Sequence, residues 1–482
     1  MIGNAKTQRA RGIIARLSAA TLVALVFASA TDAAGTRPVQ TVALEGQTAP
    51  GTGGATFTNF DEPFTNTSGQ VTFWGCYTGP GCGVFLLSGG ALSPVAVAGQ
   101  IVAGVGTLPL PDLGGTNTDG PALNNAGTVA LKVGNIVGST TAAIFQKTLS
   151  GPLTAIVKQG DAAPGTTGGV YAEFDDMSQN NNGDVAFIAT YTEDGGTTFK
   201  TGVWIRQAGG ALVKVITHGD PVPAGAITCP SGYVSSGDPG DIDGPWMNDS
   251  QVVVFLIDGP CGNDSTAGDH LLVKQPSQPL AAFVTEGDPA PASIGGTIGG
   301  FKLGRPAFNN ANVLGYRAVE ITGSVAESVV THAMGGSPIA CVNLGAPAPG
   351  TTGTISSFVD NPPTINQSGR LFFVAGVTGD AIVSQGLFTC QNGSVVPVVF
   401  QGDPIPGTAS VFSARIEEGS MSDDGRVAFL HENSPLGVFV SSAPVAITPV
   451  PALSRLAMGV LAGLLIGFAA WTLRRRSQAF RT

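Results

Sequence analysis

Charge is scarce in this chain. Only 12% of its 482 residues are Asp, Glu, Lys or Arg, about half the share of a typical soluble domain. The charge present leans negative, at −10 formal, which excludes a nucleic-acid partner because little could neutralise a row of phosphates. Histidine is rarer still: four occur, with no pair at ligand spacing, so a His-based metal site has nothing to build on. The six cysteines contain no C-x-x-C, the spacing of redox dithiols and zinc ribbons. No G-x-S-x-G elbow, H-E-x-x-H element or Gly-rich phosphate loop occurs either, so the common hydrolase, zincin and nucleotide signatures are missing.

What the chain has instead is 69 glycines, 33 prolines and 43% hydrophobic residues. It is too apolar to be disordered and too rich in helix breakers to be a helical bundle. Its length suits one large repeat domain or two to three ordinary ones.

The two ends read as addresses. Lys6, Arg9, Arg11 and Arg16 precede an apolar stretch over 17–30, followed by the small-residue exits Ala28-Ser29-Ala30 and Ala33-Ala34. This is the pattern of a secretory signal peptide over 1–34, with an apolar core shorter than the ~20 residues that span a bilayer. At the other end a linker over 447–455 holds Val450, Pro451, Ala452, Leu453 and Ser454. An uncharged apolar run over 456–473 follows, then a tail over 474–482 that begins Arg474, Arg475, Arg476. The run is just long enough for a transmembrane helix, and the arginines would stay cytoplasmic. Residues 35–454 keep 14 basic and 32 acidic residues, so the exported body is more acidic than the whole.

That body, 35–446, is a sevenfold repeat. N-x-x-G-x-V-x-F begins at Asn66, Asn124, Asn180, Asn248, Asn309 and Asn366, and at Ser422 with Ser in place of Asn. The spacings are 58, 56, 68, 61, 57 and 56 residues. Asn or Ser at the first position of a type I turn can bond its own backbone, and Gly at the fourth accepts the left-handed conformation that leads into a strand. Asn312 is a tolerable substitute at that fourth position; Gln251 is a poor one. Apolar residues at the sixth and eighth positions alternate, as a strand with one buried face requires. A second element, G-D-x-x-P-G or a degraded copy, keeps time with the first: Gly46-Gln47, Gly99-Gln100, Gly160-Asp161, Gly219-Asp220, Gly287-Asp288, Gly345-Ala346 and Gly402-Asp403.

Each repeat reads as four strands. In the third, strand a covers about 170–175, b 184–192, c 202–207 and d 212–217. Seven such units of about 59 residues predict an all-β fold, a seven-bladed β-propeller. A d-like strand at Gln40 to Glu45 would complete the last repeat, which fades after its c strand, and close the ring without an open edge. The alternative is an open β-solenoid, whose rungs are usually shorter.

Asn180 to Phe187 and Gly160 to Gly165 resemble the repeats of a bacterial family of exported tandem-repeat proteins, named for an N-x-x-G-x-x-A-F repeat and for the choice of anchor at its members' ends. The resemblance covers about 40–440 and implies a propeller-like surface protein with no assigned catalytic residues. Val450 to Ser454 resembles the I-P-T-L-S motif of exosortase-type sorting tails, departing at two of five positions. This implies a Gram-negative source, a processing protease as partner, and a body in the periplasm or at the surface, anchored in the membrane at least transiently. The alternative is a plain tail anchor.

Propeller connectivity would put every Gly-Asp loop on one face and every N-x-x-G turn on the other. The longest insertions, 224–245 and 258–270 of the fourth repeat, fall on the Gly-Asp face, where binding loops belong. Cys76 and Cys82 flank one loop there, and Cys229 and Cys261 lie in the two insertions, so both pairs are expected as disulfides. Cys341–Cys390 follows by elimination. Asp161, Asp220, Asp288 and Asp403 would form a partial ring near the channel mouth. They could bind sugar hydroxyls with Tyr171, Tyr233 or Trp246 as stacking platforms, or simply cap their turns. Calcium is a further candidate, at those carboxylates or at Asp238, Asp241 and Asp243. Asp175-Asp176 and Asp423-Asp424 are carboxylate pairs available to a glycosidase. The expectation is a non-catalytic envelope or surface protein that binds extracellular polysaccharide or another surface component. The alternatives are a glycan-acting hydrolase or lyase, and a purely structural surface protein. At Phe187 the repeat reading predicts a buried aromatic.

Overall fold

The computed structural model describes residues 37–444, except 80, 110–119, 194, 196–197, 222, 224–241, 258–268, 360–361 and 414. The signal peptide, the sorting motif, the arginine tail, Tyr233, Asp238, Asp241 and the Cys229–Cys261 pair therefore lie outside the described residues. Among the described residues there is no helix, and so none long and apolar enough to cross a membrane.

The strands form one antiparallel sheet of four or five strands per repeat, and a small three-stranded sheet of Ile101–Val102, Gly106–Thr107 and Val137–Gly138 stands beside them. Sheet 1 is Phe57–Thr65, Val71–Tyr77, Gly81–Ser88 and Ala91–Val97. Sheet 3 is Val170–Gln179, Val185–Thr192, Phe199–Arg206 and Leu212–Thr217. The sheets of the second, fourth, fifth and sixth repeats follow the same a-b-c-d order, the sixth with its first strand split into Thr354–Phe358 and Thr364–Ile365. In the seventh, Ile416–Met421, Val427–His431 and Gly437–Ser441 supply three strands. Val39–Leu44, from the start of the chain, is the fourth and pairs antiparallel with Gly437–Ser441. The expected strands of repeat 3 are all present; strand a runs on to Gln179.

Second and third strands are buried on both faces, and Val185–Thr192 is buried along its whole length. Consecutive sheets share their cores. Phe255 and Leu272 pack with Ile188 and Val203 between sheets 3 and 4. Val71 and Phe73 of sheet 1 share a cluster with Ala428 and Val438 of sheet 7. Within sheet 3, Phe187 is fully buried, stacks on Trp204 with ring centroids 6.2 Å apart, and meets Tyr171 and Phe174 edge-on.

Glycine is needed in the first half of the third strand. A Cβ on Gly202 would lie 2.7 Å from the Ile216 carbonyl oxygen and 2.6 Å from the Trp204 ring, which folds back over it. Gly83, Gly386 and Gly437 show the same crowding under Phe85, Phe388 and Phe439, and the backbone beside Gly437 is that of Ala43 in the N-terminal strand.

Two of the expected disulfides are present. Cys76–Cys82 bridges directly opposed residues of a hairpin in sheet 1. Cys341–Cys390 ties the last strand of sheet 5 to the third strand of sheet 6.

Candidate functional site

The N-x-x-G turns are built as the sequence implies. In all seven the main-chain N–H of the fourth residue donates to the carbonyl of the first. All seven fourth residues have positive φ, including Asn312 at 56° and Gln251 at 58°. Gln251 tolerates this conformation while its side chain bonds both Asp184 and Gln207.

The asparagines also do something the sequence reading missed. Each is buried. In the Asn66 turn, Oδ1 accepts from the Ser68 and Gln70 N–H groups, while Nδ2 donates to the carbonyl of Asn124 in the next repeat. The same donation runs Asn124 to Asn180, Asn180 to Asn248, Asn248 to Asn309, Asn309 to Asn366, and Asn366 to Ser422. A second line runs beside it. The side-chain oxygens of Asn125, Asn181, Asp249, Asn310, Gln367 and Asp423 each accept the N–H of the corresponding residue one repeat earlier. Ser422 has no amide to donate, and the junction of repeats 7 and 1 is bonded otherwise. Thr65 N–H donates to Ser420 Oγ at 2.9 Å, and Asn125 Nδ2, from the turn of the second repeat, donates past the first to Asp423 Oδ2 at 2.9 Å.

The turns stand over a cavity. The first strands bulge just before them: Glu62-Pro63, Asp175-Asp176 and Gly244-Pro245 each set two residues opposite one on the second strand. A bulge re-aims side chains and bends its strand. Proline three residues before the Asn, at Pro63, Pro121, Pro245, Pro306 and Pro363, favours this because it cannot donate to a ladder. Two adjoining cavities of about 220 and 90 Å³ share Phe64 and Arg305, and their walls draw residues from the first strands and pre-turn segments of all seven repeats. Arg305 forms an ion pair with Asp176, reaching from repeat 5 to repeat 3. Glu62 and Thr364 line the larger cavity, and Ser178 and Gln179 the smaller. The Ser178 and Thr364 hydroxyls and both polar atoms of the Gln179 amide are buried without a hydrogen-bond partner. A Cβ on Gly120 would collide with the Glu62 carboxylate, so Gly120 leaves room for that side chain. The recurring proline was the available sequence signal for this wall, and the reading above did not use it.

The Gly-Asp residues stand elsewhere. Each follows the last strand of its sheet, at the edge opposite the first strand. Their side chains cap the turn: Asp161, Asp220, Asp288 and Asp403 accept the N–H of Lys158, Thr217, Thr285 and Phe400, and Gln47 and Gln100 accept those of Leu44 and Val97. Asp161 and Asp220 also pair with Lys158 and Lys214. They are therefore not gathered around the cavity. Among the described residues no group of three His, Cys, Asp or Glu is placed to hold a metal ion. Asp243 is exposed, on the first strand of sheet 4.

Trp246, expected as a stacking platform, is 5% exposed, its indole N–H donates to the Gly304 carbonyl at 2.7 Å, and it lines the smaller of the two cavities. Tyr171 is equally interior, and burial pushes its phenol well above the usual range. The carboxylate pairs are engaged as well: Asp175 with Lys132, Asp176 with Arg305, Asp424 with Arg426, and Asp423 in the turn-to-turn bonds.

A family model for a family of unknown function, DUF7453, matches residues 26–228 and again residues 225–442. The chain belongs to the DUF7453 family. In this DUF7453 chain the two matched spans meet within the fourth repeat's insertion. No curated protein matches it by sequence. Among solved structures it is similar to the β-propeller domain of the Trilobed protease from Pyrococcus furiosus, with TM-score 0.47 and 10% identity over 83% of this chain and 99% of that one. It is also similar to PorZ, a surface component of the type-IX secretion system of Porphyromonas gingivalis (0.45, 11%, 82% and 47%), and to prolyl oligopeptidase B from Galerina marginata (0.37, 10%, 78% and 47%). The chain therefore spans about half the length of the latter two.

Proposed function

We propose that this protein is an exported, closed, seven-bladed β-propeller that binds extracellular polysaccharide or another surface component through its Gly-Asp loops. Closure is supported by the N-terminal strand completing the seventh sheet and by the core that sheets 1 and 7 share. Export, sorting through Val450 to Ser454 and kinship with the choice-of-anchor repeat proteins rest on the sequence pattern, and two disulfides suit an oxidising compartment.

The observation that carries the binding reading is the stiffness of the loop end. In six of the seven Gly-Asp turns a side chain accepts the N–H three residues back. The hairpin at Cys76–Cys82 is stapled at the same ends of the strands. Loops held in one conformation lose less entropy on binding. Co-sedimentation of the full chain with the producing organism's own extracellular polysaccharide tests it, repeated with the 224–241 insertion shortened. Binding that falls with the shortened loop supports the reading. A chain that stays in the supernatant, or one indifferent to the loop, points to a structural role instead.

A further inference from the structure

We infer that the cavity beneath the N-x-x-G turns is a separate binding site for a neutral, hydroxyl-rich ligand of monosaccharide size, free or as the end of a glycan chain. The inference does not rest on the Gly-Asp reading, because this site lies at the other ends of the strands.

Three features of the wall carry it. The first is hydrogen-bonding capacity left over: the Ser178 hydroxyl, both ends of the Gln179 amide and the Thr364 hydroxyl lack partners. Such groups are costly when nothing meets them. Together they offer donors and acceptors in nearly equal number, which is what a ring of sugar hydroxyls, each both donor and acceptor, can satisfy. The second is charge. The walls carry one charge of each sign, Glu62 and Arg305, and Arg305 is already held by Asp176. A wall with no surplus of either sign favours a neutral ligand, and planar carboxylate and guanidinium edges suit vicinal hydroxyls. The third is an apolar face: the half-buried Phe64 belongs to both cavities and can lie against the C–H face of a sugar ring.

The build of the site fits binding more than packing. The bulges displace the first strands at Glu62, Asp176 and Gly244, where straight strands would have let apolar side chains close the space. The space is large enough for several waters, so a ligand of this size would replace solvent and not protein.

Ligand-observed saturation-transfer NMR and calorimetry on the full chain test the inference. The probes are D-glucose, D-galactose, D-mannose and N-acetyl-D-glucosamine, with D-glucuronate as the anionic control. At least one neutral sugar is expected to bind saturably and more tightly than glucuronate. Gln179→Ala and Phe64→Leu should each weaken that binding about tenfold or more, while Asp220→Asn in a Gly-Asp turn should leave it unchanged. Arg305→Met should weaken it as well. If that variant fails to fold, because it strands Asp176, Gln179→Ala and Phe64→Leu decide the matter. Methyl glycosides that bind as well as free sugars would indicate a chain end as the natural ligand; loss of binding on methylation would indicate the free sugar. The inference is overturned if no neutral sugar binds, if glucuronate binds best, or if folded Gln179→Ala and Phe64→Leu proteins bind like the parent. Loss of polysaccharide co-sedimentation with these sugars still bound would separate failure of the loop reading from failure of this one.

Discussion

The side-chain amide of Asn66 donates to the main-chain carbonyl of Asn124 over 2.9 Å, although 58 residues separate them. The same side chain accepts two N–H groups of its own turn. One residue thus shapes a local turn and fastens it to the next repeat. Asn66→Ala should cost about 2–3 kcal/mol, two or three buried hydrogen bonds at roughly 1 kcal/mol each. Asn66→Ser, the residue that Ser422 already uses, should recover the turn half and leave the deficit of the lost amide. Denaturant unfolding of the three proteins measures both steps. Equal stability of Asn66→Ala and the parent would remove the bridge from the account.

Packing in the third sheet gives a second test. Phe187→Ala should destabilise by about 3–5 kcal/mol, since it empties a fully buried ring site between Trp204, Tyr171 and Phe174. Gly202→Ala adds one carbon yet should cost about 1–3 kcal/mol, because that carbon meets the Ile216 carbonyl and the Trp204 ring. Thermal unfolding followed by tryptophan fluorescence reports on both.

The two disulfides should contribute unequally. Cys341–Cys390 closes a 49-residue separation between two sheets, and Cys76–Cys82 closes only 6 within one hairpin. On loop-closure entropy the first stabilises by about 4 kcal/mol and the second by about 2 kcal/mol. Paired Cys→Ser variants, compared by chemical denaturation, should rank in that order.

Acid should weaken the protein before its carboxylates titrate. His270, His332 and His431 are buried, and burial holds each below its usual 6.5. His431 is the most committed: Nε2 lies 3.0 Å from the Ser413 main-chain nitrogen, whose hydrogen it accepts, and Nδ1 faces the Pro435 carbonyl. A proton added at Nε2 would confront a donor. As pH falls below 6.5 the unfolded chain takes up protons that the folded one refuses. Stability is therefore full above that value and declines beneath it. Melting temperature should drop between pH 7.5 and 5, and His431→Gln should make the drop shallower. An unchanged slope would mean that His431 is not among the groups responsible.

Much of the fold was legible in the sequence because it is written in short-range terms. Asn66 and Gly69, or Gly160 and Asp161, specify turns through bonds and backbone angles that reach only a few residues, and seven copies at near-constant spacing amplify a weak signal. The alternation after each turn marked the second strands for the same reason, but it implied one buried face where the packing of neighbouring sheets buries both. Even Gln251, a poor fit for its place, takes the left-handed conformation, because Asp184 and Gln207 hold its side chain.

The candidate site was a different matter. The Gly-Asp carboxylates stood out in the sequence because they recur, yet recurrence here marks a turn cap: Asp220 spends its carboxylate on Thr217 and Lys214. The pre-turn prolines recur, but the charged cavity residues do not. Glu62, Asp176 and Arg305 occur once each and face one another only because three repeats bring their first strands to the same place. Repetition and turn chemistry, both local, determined the repeat unit, its strands and its turns. Which side chains meet across the cavity, and that each turn asparagine bonds to its neighbour, depended on how the sheets are arranged about one another. Contacts between residues 56 to 68 positions apart, or more than a hundred, leave no trace in any short stretch of sequence.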